Sequence, residues 1–150
     1  MSVAHRLDVI APFHVMAILE KAKALEAAGH DVIHMEIGEP DFPTPAPIVA
    51  AGMAALQAGQ TFYTPALGIP ALRQAIADFY QQRYQITLPA HRIVVTPGAS
   101  GALQLALAAL VNPGEQVLLP DPTYPCNRHL VSLVNGQPVS IPVEDRKSTR

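Results

Sequence analysis

Residues 94–102 read Val94-Val95-Thr96-Pro97-Gly98-Ala99-Ser100-Gly101-Ala102, a β-branched run passing through a small-residue turn into a helical stretch without a bulky side chain over its first turn. A helix entered in this way directs the amides of Gly98, Ala99 and Ser100 off its N-terminus. There the peptide dipoles favour negative charge, and the Ser100 hydroxyl adds a donor. A phosphate is the natural occupant. The same residues also read as an ordinary Gly-rich turn with Ser100 as a capping group, and composition alone leaves both readings standing. No Gly-Lys-Ser/Thr follows, which argues against a nucleoside-triphosphate loop, and the three-glycine spacing of a dinucleotide site is absent. Asp121, ending the next apolar run, is nevertheless placed to accept from a ribose hydroxyl. In Asp121-Pro122-Thr123-Tyr124-Pro125 an aromatic ring falls at the carboxyl end of a predicted strand, where ligands of open α/β sheets bind. Tyr124 suits stacking on a flat ring, or packing as a turn tyrosine on the helix below.

Other chemistry-bearing residues read as structural. Cys126 and His129 stand three apart on one face of a predicted helix, the spacing of a thiol–base pair or half a metal site. No second ligand pair accompanies them. His30 and His34 bracket a predicted strand and read as loop and edge residues. Glu36, Glu39 and Asp41 cluster near the first loop, and Glu39 and Asp41, within its Pro-rich turn, read as capping local amides.

The elements that must position these residues follow from apolar spacing and from Gly and Pro punctuation. Helical periodicity runs over 15–28 and stops at Gly29; Thr44 and Pro45 open a second helix over 48–58, ending at Gly59; Gly68-Ile69-Pro70 opens a third that runs to about Tyr84. Residues 32–37 read as a short strand. After Tyr84 strand and helix alternate: strands over 92–96, 116–119 and 139–143, helices over 100–111 and 125–134. Near-continuous apolar strands joined by crossover helices imply a parallel sheet covered on both faces. The fold class expected is α/β, an N-terminal helical segment plus an incomplete, mostly parallel sheet with helices on both faces.

The composition narrows the partners. Of 150 residues, 49% are hydrophobic and 15% charged, which suits one compact layered domain rather than a disordered tail. The net charge of −2 with scattered Lys and Arg gives no footprint for nucleic acid or anionic lipid. A lone cysteine excludes an intrachain disulfide and fits a reducing compartment. No apolar run approaches the ~20 residues a bilayer span needs, and Asp8, Pro12 and His14 interrupt the one stretch that hints at a secretory segment. A cytoplasmic location and a small-molecule partner are expected.

Ordered motifs then resemble a known family, the class I/II aminotransferases, pyridoxal-phosphate enzymes of fold type I. Gly38-Glu39-Pro40-Asp41-Phe42-Pro43-Thr44-Pro45 resembles the family's substrate-side loop, and Tyr63-Thr64-Pro65-Ala66-Leu67-Gly68 followed by Leu72-Arg73 resembles its next landmark. Thr96 to Leu103, then Asn112-Pro113-Gly114-Glu115 and Asp121-Pro122-Thr123-Tyr124, resemble its cofactor half, in the same order. The resemblance reaches to about Val143. It implies that Gly98, Ala99 and Ser100 hold the phosphate of pyridoxal 5'-phosphate and that Tyr124 stacks on its ring. Tyr63 would reach the phosphate bound by the other subunit of a homodimer, and Ile37 and Gly38 would line the substrate side. The implied substrates are an amino acid and a 2-oxo acid.

The resemblance does not supply a reactive centre. The lysines are Lys21, Lys23 and Lys147, two on the charged side of a predicted helix and one in a polar tail, so none matches the family's Schiff-base lysine. Asp121 and Arg128 lie at motif positions other than those of the ring-nitrogen aspartate and the substrate arginine. The expectation is therefore the N-terminal part of a longer enzyme, inactive as 150 residues. Its parts would be an N-terminal arm and substrate-side loop over 1–45, part of the cofactor-binding large domain over 46–143, and a disordered polar tail over 144–150. Lyases of the same fold share these motifs. A nucleotide-binding module using Asp121 is the alternative from another class, as is a non-catalytic protein that pairs with a longer subunit through its open sheet edge and Tyr63 region.

Overall fold

The computed structural model describes residues 3–143. The tail expected over 144–150 lies outside the described residues. In chain order the elements are α1 (His14–Ala27), α2 (Ala46–Gln57), α3 (Pro70–Tyr84), α4 (Gly98–Leu110), β1 (Gln116–Asp121), α5 (Cys126–Leu133) and β2 (Gln137–Pro142), with short 3-10 turns at His5–Val9 and Ala90–Arg92. Two compact units divide the chain. One comprises residues up to Ile37 together with those from Pro97 on, and the other is Gly38–Thr96.

In the first unit β1 and β2 pair in parallel, in register from Gln116 opposite Gln137 to Asp121 opposite Pro142. A parallel pair needs a crossover, and α5 supplies it, packing on both strands and against α4. The entrance to β1 is set by Asn112-Pro113-Gly114-Glu115. The Glu115 amide donates to the Asn112 carbonyl at 3.1 Å, closing a β-turn, while the Glu115 carboxylate accepts from the Asn112 backbone amide at 2.8 Å and its side-chain amide at 3.1 Å. Those two bonds hold the Glu115 carboxyl below its ordinary range. The Gln137 amide donates to the Glu115 carbonyl at 2.8 Å, which couples this turn to the start of β2.

The core of this unit is centred on α5, where Val131 is 1% exposed and Ser132 is also buried. A Cβ on Gly136 would come within 3.0 Å of Val131 Cγ1 and 3.1 Å of Val111 Cγ1, so the turn into β2 closes directly on this side chain. Val131→Ala removes two methyl groups from that contact and is expected to cost about 2 kcal/mol, read as a lower urea midpoint.

In the second unit, α2 and α3 both start at proline, with Pro45 at the N-cap of α2 and Pro70 in the first turn of α3. The Arg73 guanidinium of α3 donates to the Ala90 carbonyl at 3.4 Å, tying the helix to the 3-10 turn. Ala77 and Ile93 are its buried apolar residues among those described.

Two expected strands do not form. Residues 92–96 contribute one bridge, the Val95 amide donating to the Leu67 carbonyl at 3.0 Å, and no ladder. Residues 32–37 run as coil and bend, with Ile33 and Met35 more than four-fifths exposed. Apolar β-branched runs become strands only where a second strand meets them, and among the described residues these two have none.

Candidate functional site

The residues expected to hold an anion form the turn into α4. Pro97 occupies the N-cap, with no N–H of its own and no side-chain capping bond. Gly98 follows at φ +73°, a value that L side chains rarely adopt, and a Cβ built there meets nothing within 4 Å. No acidic residue lies in the first turn. The amides of Ala99 and Ser100 fall at the second and third helical positions, beyond the reach of intrahelical carbonyls. Space beside Gly98 is therefore open at the positive end of the helix, and the helix's own first turn brings no competing carboxylate. These residues fit a tetrahedral anion.

Ser100 shares a cavity of about 370 Å³ with Cys126, His129, Leu130 and Leu133 and with Leu7 and Ile10 of the N-terminal arm. The start of α4 and the start of α5 thus face one space. Tyr124, two residues before α5, is half exposed and meets Phe13 edge-on, with ring centroids 5.8 Å apart at 71°. A hydrogen bond with Cys126, aided by partial desolvation, holds its phenol above the ordinary value of 10.0. The loop that carries Tyr124 is held at both ends. The Val143 amide donates to the Asp121 carbonyl at 3.0 Å, and the Asn127 amide donates to the Tyr124 carbonyl at 3.1 Å. Arg128 reaches across from α5, 3.8 Å from the Asp121 carboxylate and donating to the Ser140 hydroxyl at 2.8 Å.

Gly98, Ala99, Ser100, Tyr124 and Ile37 all belong to the first unit, with Ile37 half-buried at its margin. Gly38 and Tyr63 belong to the second. Tyr63 is fully exposed and lines a shallow pocket of about 270 Å³ with Thr61 and Phe62. Lys21 and Lys23 are exposed on α1, as their place on the charged face implied.

Two features escaped sequence reading. The Phe13 ring contact joins residues far apart in the chain, and nothing in local spacing signals it. Around His34, the imidazole Nε2 lies 3.0 Å from Glu26 and Nδ1 lies 2.6 Å from Glu36. A histidine flanked at i+2 and i−8 by glutamates was the available signal, and it gains meaning only once the turn after α1 folds the chain back. Among the described residues no cluster of three or more His, Cys, Asp or Glu is arranged for a metal ion, and no helix is long and apolar enough to cross a membrane.

With this geometry in place, the chain was compared with known proteins. The family model described as aminotransferase class I and II matches residues 30–150. A (5-formylfuran-3-yl)methyl phosphate transaminase of Methanocaldococcus jannaschii is 42% identical over 127 residues, covering 85% of this chain and 34% of that protein. An aspartate aminotransferase of Geobacillus stearothermophilus is 38% identical over 141 residues, covering 94% and 36% respectively. The crystal structure of an aminotransferase from Mycobacterium tuberculosis superimposes with a TM-score of 0.91 at 37% identity, over 97% of this chain and 38% of that one. The chain spans about a third of the length of the curated relatives it matches.

Proposed function

The chain belongs to the aminotransferase class I and II family, and from that premise we propose that it holds the phosphate and one ring face of pyridoxal 5'-phosphate, as part of an enzyme that moves an amino group between an amino acid and a 2-oxo acid. The observation that carries this reading is the start of α4, where Gly98 leaves space and the first turn holds no acidic residue, in the same unit as a half-exposed tyrosine. The Ala99 and Ser100 amides and the Ser100 hydroxyl donate to the phosphate, Gly98 leaves room for its approach, and the Tyr124 ring lies against the pyridine. When bound, pyridoxal phosphate supplies an electron sink for negative charge developing at the substrate α-carbon. Phe13 and the bonds at Asp121 and Asn127 orient Tyr124, so that stacking costs little further ordering.

The remaining assignments belong to the same proposal. Tyr63, fully exposed, reaches the phosphate bound by a second copy in a homodimer, while Ile37 and Gly38 line the substrate side. Residues 1–45 serve as arm and substrate-side loop and 46–143 as part of the cofactor-binding domain, in a cytoplasmic enzyme. The lysine that exchanges protons with substrate is none of Lys21, Lys23 or Lys147, so this chain contributes binding and orientation.

Amide chemical-shift mapping of the isotopically labelled chain tests the reading. Titration with pyridoxal phosphate is expected to move the amides of Ala99 and Ser100 and the ring signals of Tyr124, and pyridoxal without its phosphate is expected to leave the amides in place. A nicotinamide dinucleotide that shifts these signals and resists competition by pyridoxal phosphate overturns it in favour of a nucleotide module.

A further inference from the structure

After α1 ends, the chain turns at Gly29, and the His30 amide donates back to the Leu25 carbonyl at 3.1 Å. Beyond this turn the path to Ile37 has no strand partner among the described residues, and its apolar side chains Ile33 and Met35 face outward. What restrains the path is a polar clasp. The His34 ring spans two carboxylates, Nε2 to Glu26 Oε1 at 3.0 Å and Nδ1 to Glu36 Oε1 at 2.6 Å. The Glu36 side chain is only 9% exposed, and its carboxylate also accepts from the backbone amides of Glu36 and Met35.

Both ring nitrogens can donate only in the imidazolium form. A neutral imidazole keeps one N–H and must release one of the two carboxylates. We propose that His34 is a pH-dependent positioning residue, its doubly donating ring fixing the course of the chain from Met35 to Ile37 against α1 and hence the setting of Ile37. That Ile37 lies beside substrate rests on the function proposed above; the clasp itself does not.

The groups that act on the ring are Glu36 and Glu26. Their hydrogen bonds, Glu36 first, raise the His34 pKa above its ordinary 6.5, and the charges of both add to this. The bond from His34, with the two backbone amides, lowers the Glu36 pKa. A raised histidine pKa gives restraint that is complete below the ordinary value and lost as pH climbs through the raised one. A lowered carboxylate pKa gives restraint that is present above its ordinary value and lost as pH falls through the lowered one. The clasp is therefore tightest between the ordinary Glu and His values and opens on either side.

The test uses the full chain. Long-range imidazole nitrogen–proton spectra follow His34 through a pH titration, and amide hydrogen exchange, corrected for its intrinsic pH dependence, follows Met35 and Glu36. His34 is expected to titrate above the ordinary value, with both ring nitrogens protonated below it. Glu26→Gln and Glu36→Gln should each move that titration down. Protection at Met35 and Glu36, whose amides bond the Glu36 carboxylate, should fall on the order of two- to fivefold as His34 deprotonates, as befits a partly exposed ion pair. In His34→Gln the pH step should vanish. Glu26 and His34 are exposed, and Glu36→Gln keeps the size of the side chain it replaces, so the variants fold. An unchanged His34 titration in both Gln variants, or Met35 and Glu36 protection that stays flat through it, overturns the clasp. Absence of pyridoxal phosphate binding at Ala99, Ser100 and Tyr124 would overturn the functional reading alone and leave these outcomes as they are.

Discussion

Gly68→Ala is expected to loosen α3 more than any other single-atom-scale change in the second unit. Gly68 sits at φ +95°, and a Cβ there would lie 2.6 Å from Val95 Cγ2 and 2.8 Å from Val95 Cβ. The Gly68 amide also donates to the Pro65 carbonyl at 2.8 Å, and its neighbour Leu67 accepts from Val95, so the backbone cannot swing aside without breaking the bridge. Backbone strain and overpacking add to about 2–4 kcal/mol. Hydrogen exchange of the α3 amides should accelerate on the order of 30- to 1,000-fold wherever they exchange through opening of this unit. Gly29→Ala separates the two causes, because Gly29 has nearly the same backbone angle with nothing within 4 Å. It should cost about 1 kcal/mol, the conformational part alone. Adding Val95→Ala to Gly68→Ala should recover only part of the loss, since the Cβ contact persists. Equal losses at Gly29 and Gly68 would show that the steric clash does not decide the effect.

Ala99→Glu should abolish pyridoxal phosphate binding without harming the fold. Ala99 is exposed at the second position of α4, where a carboxylate meets the positive end of the helix and stabilises it by about 0.3–1 kcal/mol. The same carboxylate occupies the amides proposed for the phosphate and repels it. Each charge-assisted bond is worth about 1.5–3 kcal/mol, so losing two weakens binding about 100-fold or more by calorimetric titration. Ser100→Ala removes one donor and should cost about tenfold, and Ala99→Gln should fall below Ala99→Glu because it adds bulk without charge. Undiminished binding in Ala99→Glu would place the phosphate elsewhere.

Helices were legible in this sequence because their signals are local. The apolar spacing of α1 and α3, Pro45 before α2, Pro70 at α3 and the turn through Gly98 into α4 put each helix within a few residues of its observed span. The parallel pair β1–β2 was legible for a related reason, since two apolar runs separated by one helix of crossover length leave few alternatives. The runs at 92–96 and 32–37 misled because β-branched composition records only what a segment would do beside a partner, and partners are not local. The anion turn could be read from Pro97 to Ser100, where the chemistry is carried by backbone. The surroundings of Tyr124 could not, because Phe13 reaches it only through the fold. His34 looks like an edge residue in the sequence because Glu26, one of its two partners, lies on the far side of a turn.

The thin interior described above has a calorimetric consequence. Ala22, Ala77, Ile93 and Val131 are the buried apolar residues among those described, while Leu103, Leu105 and Leu110 on α4 and Leu118 on β1 stand in water. Unfolding such a chain hydrates little new hydrocarbon, so its heat-capacity increment falls below the ~12–15 cal/mol/K per residue of ordinary domains. Its free energy of folding then bends only gently with temperature, falling steadily on heating while cold denaturation recedes to lower temperature. Whatever polypeptide closes over those leucines brings the missing curvature with it, and association would announce itself as a large negative heat-capacity change.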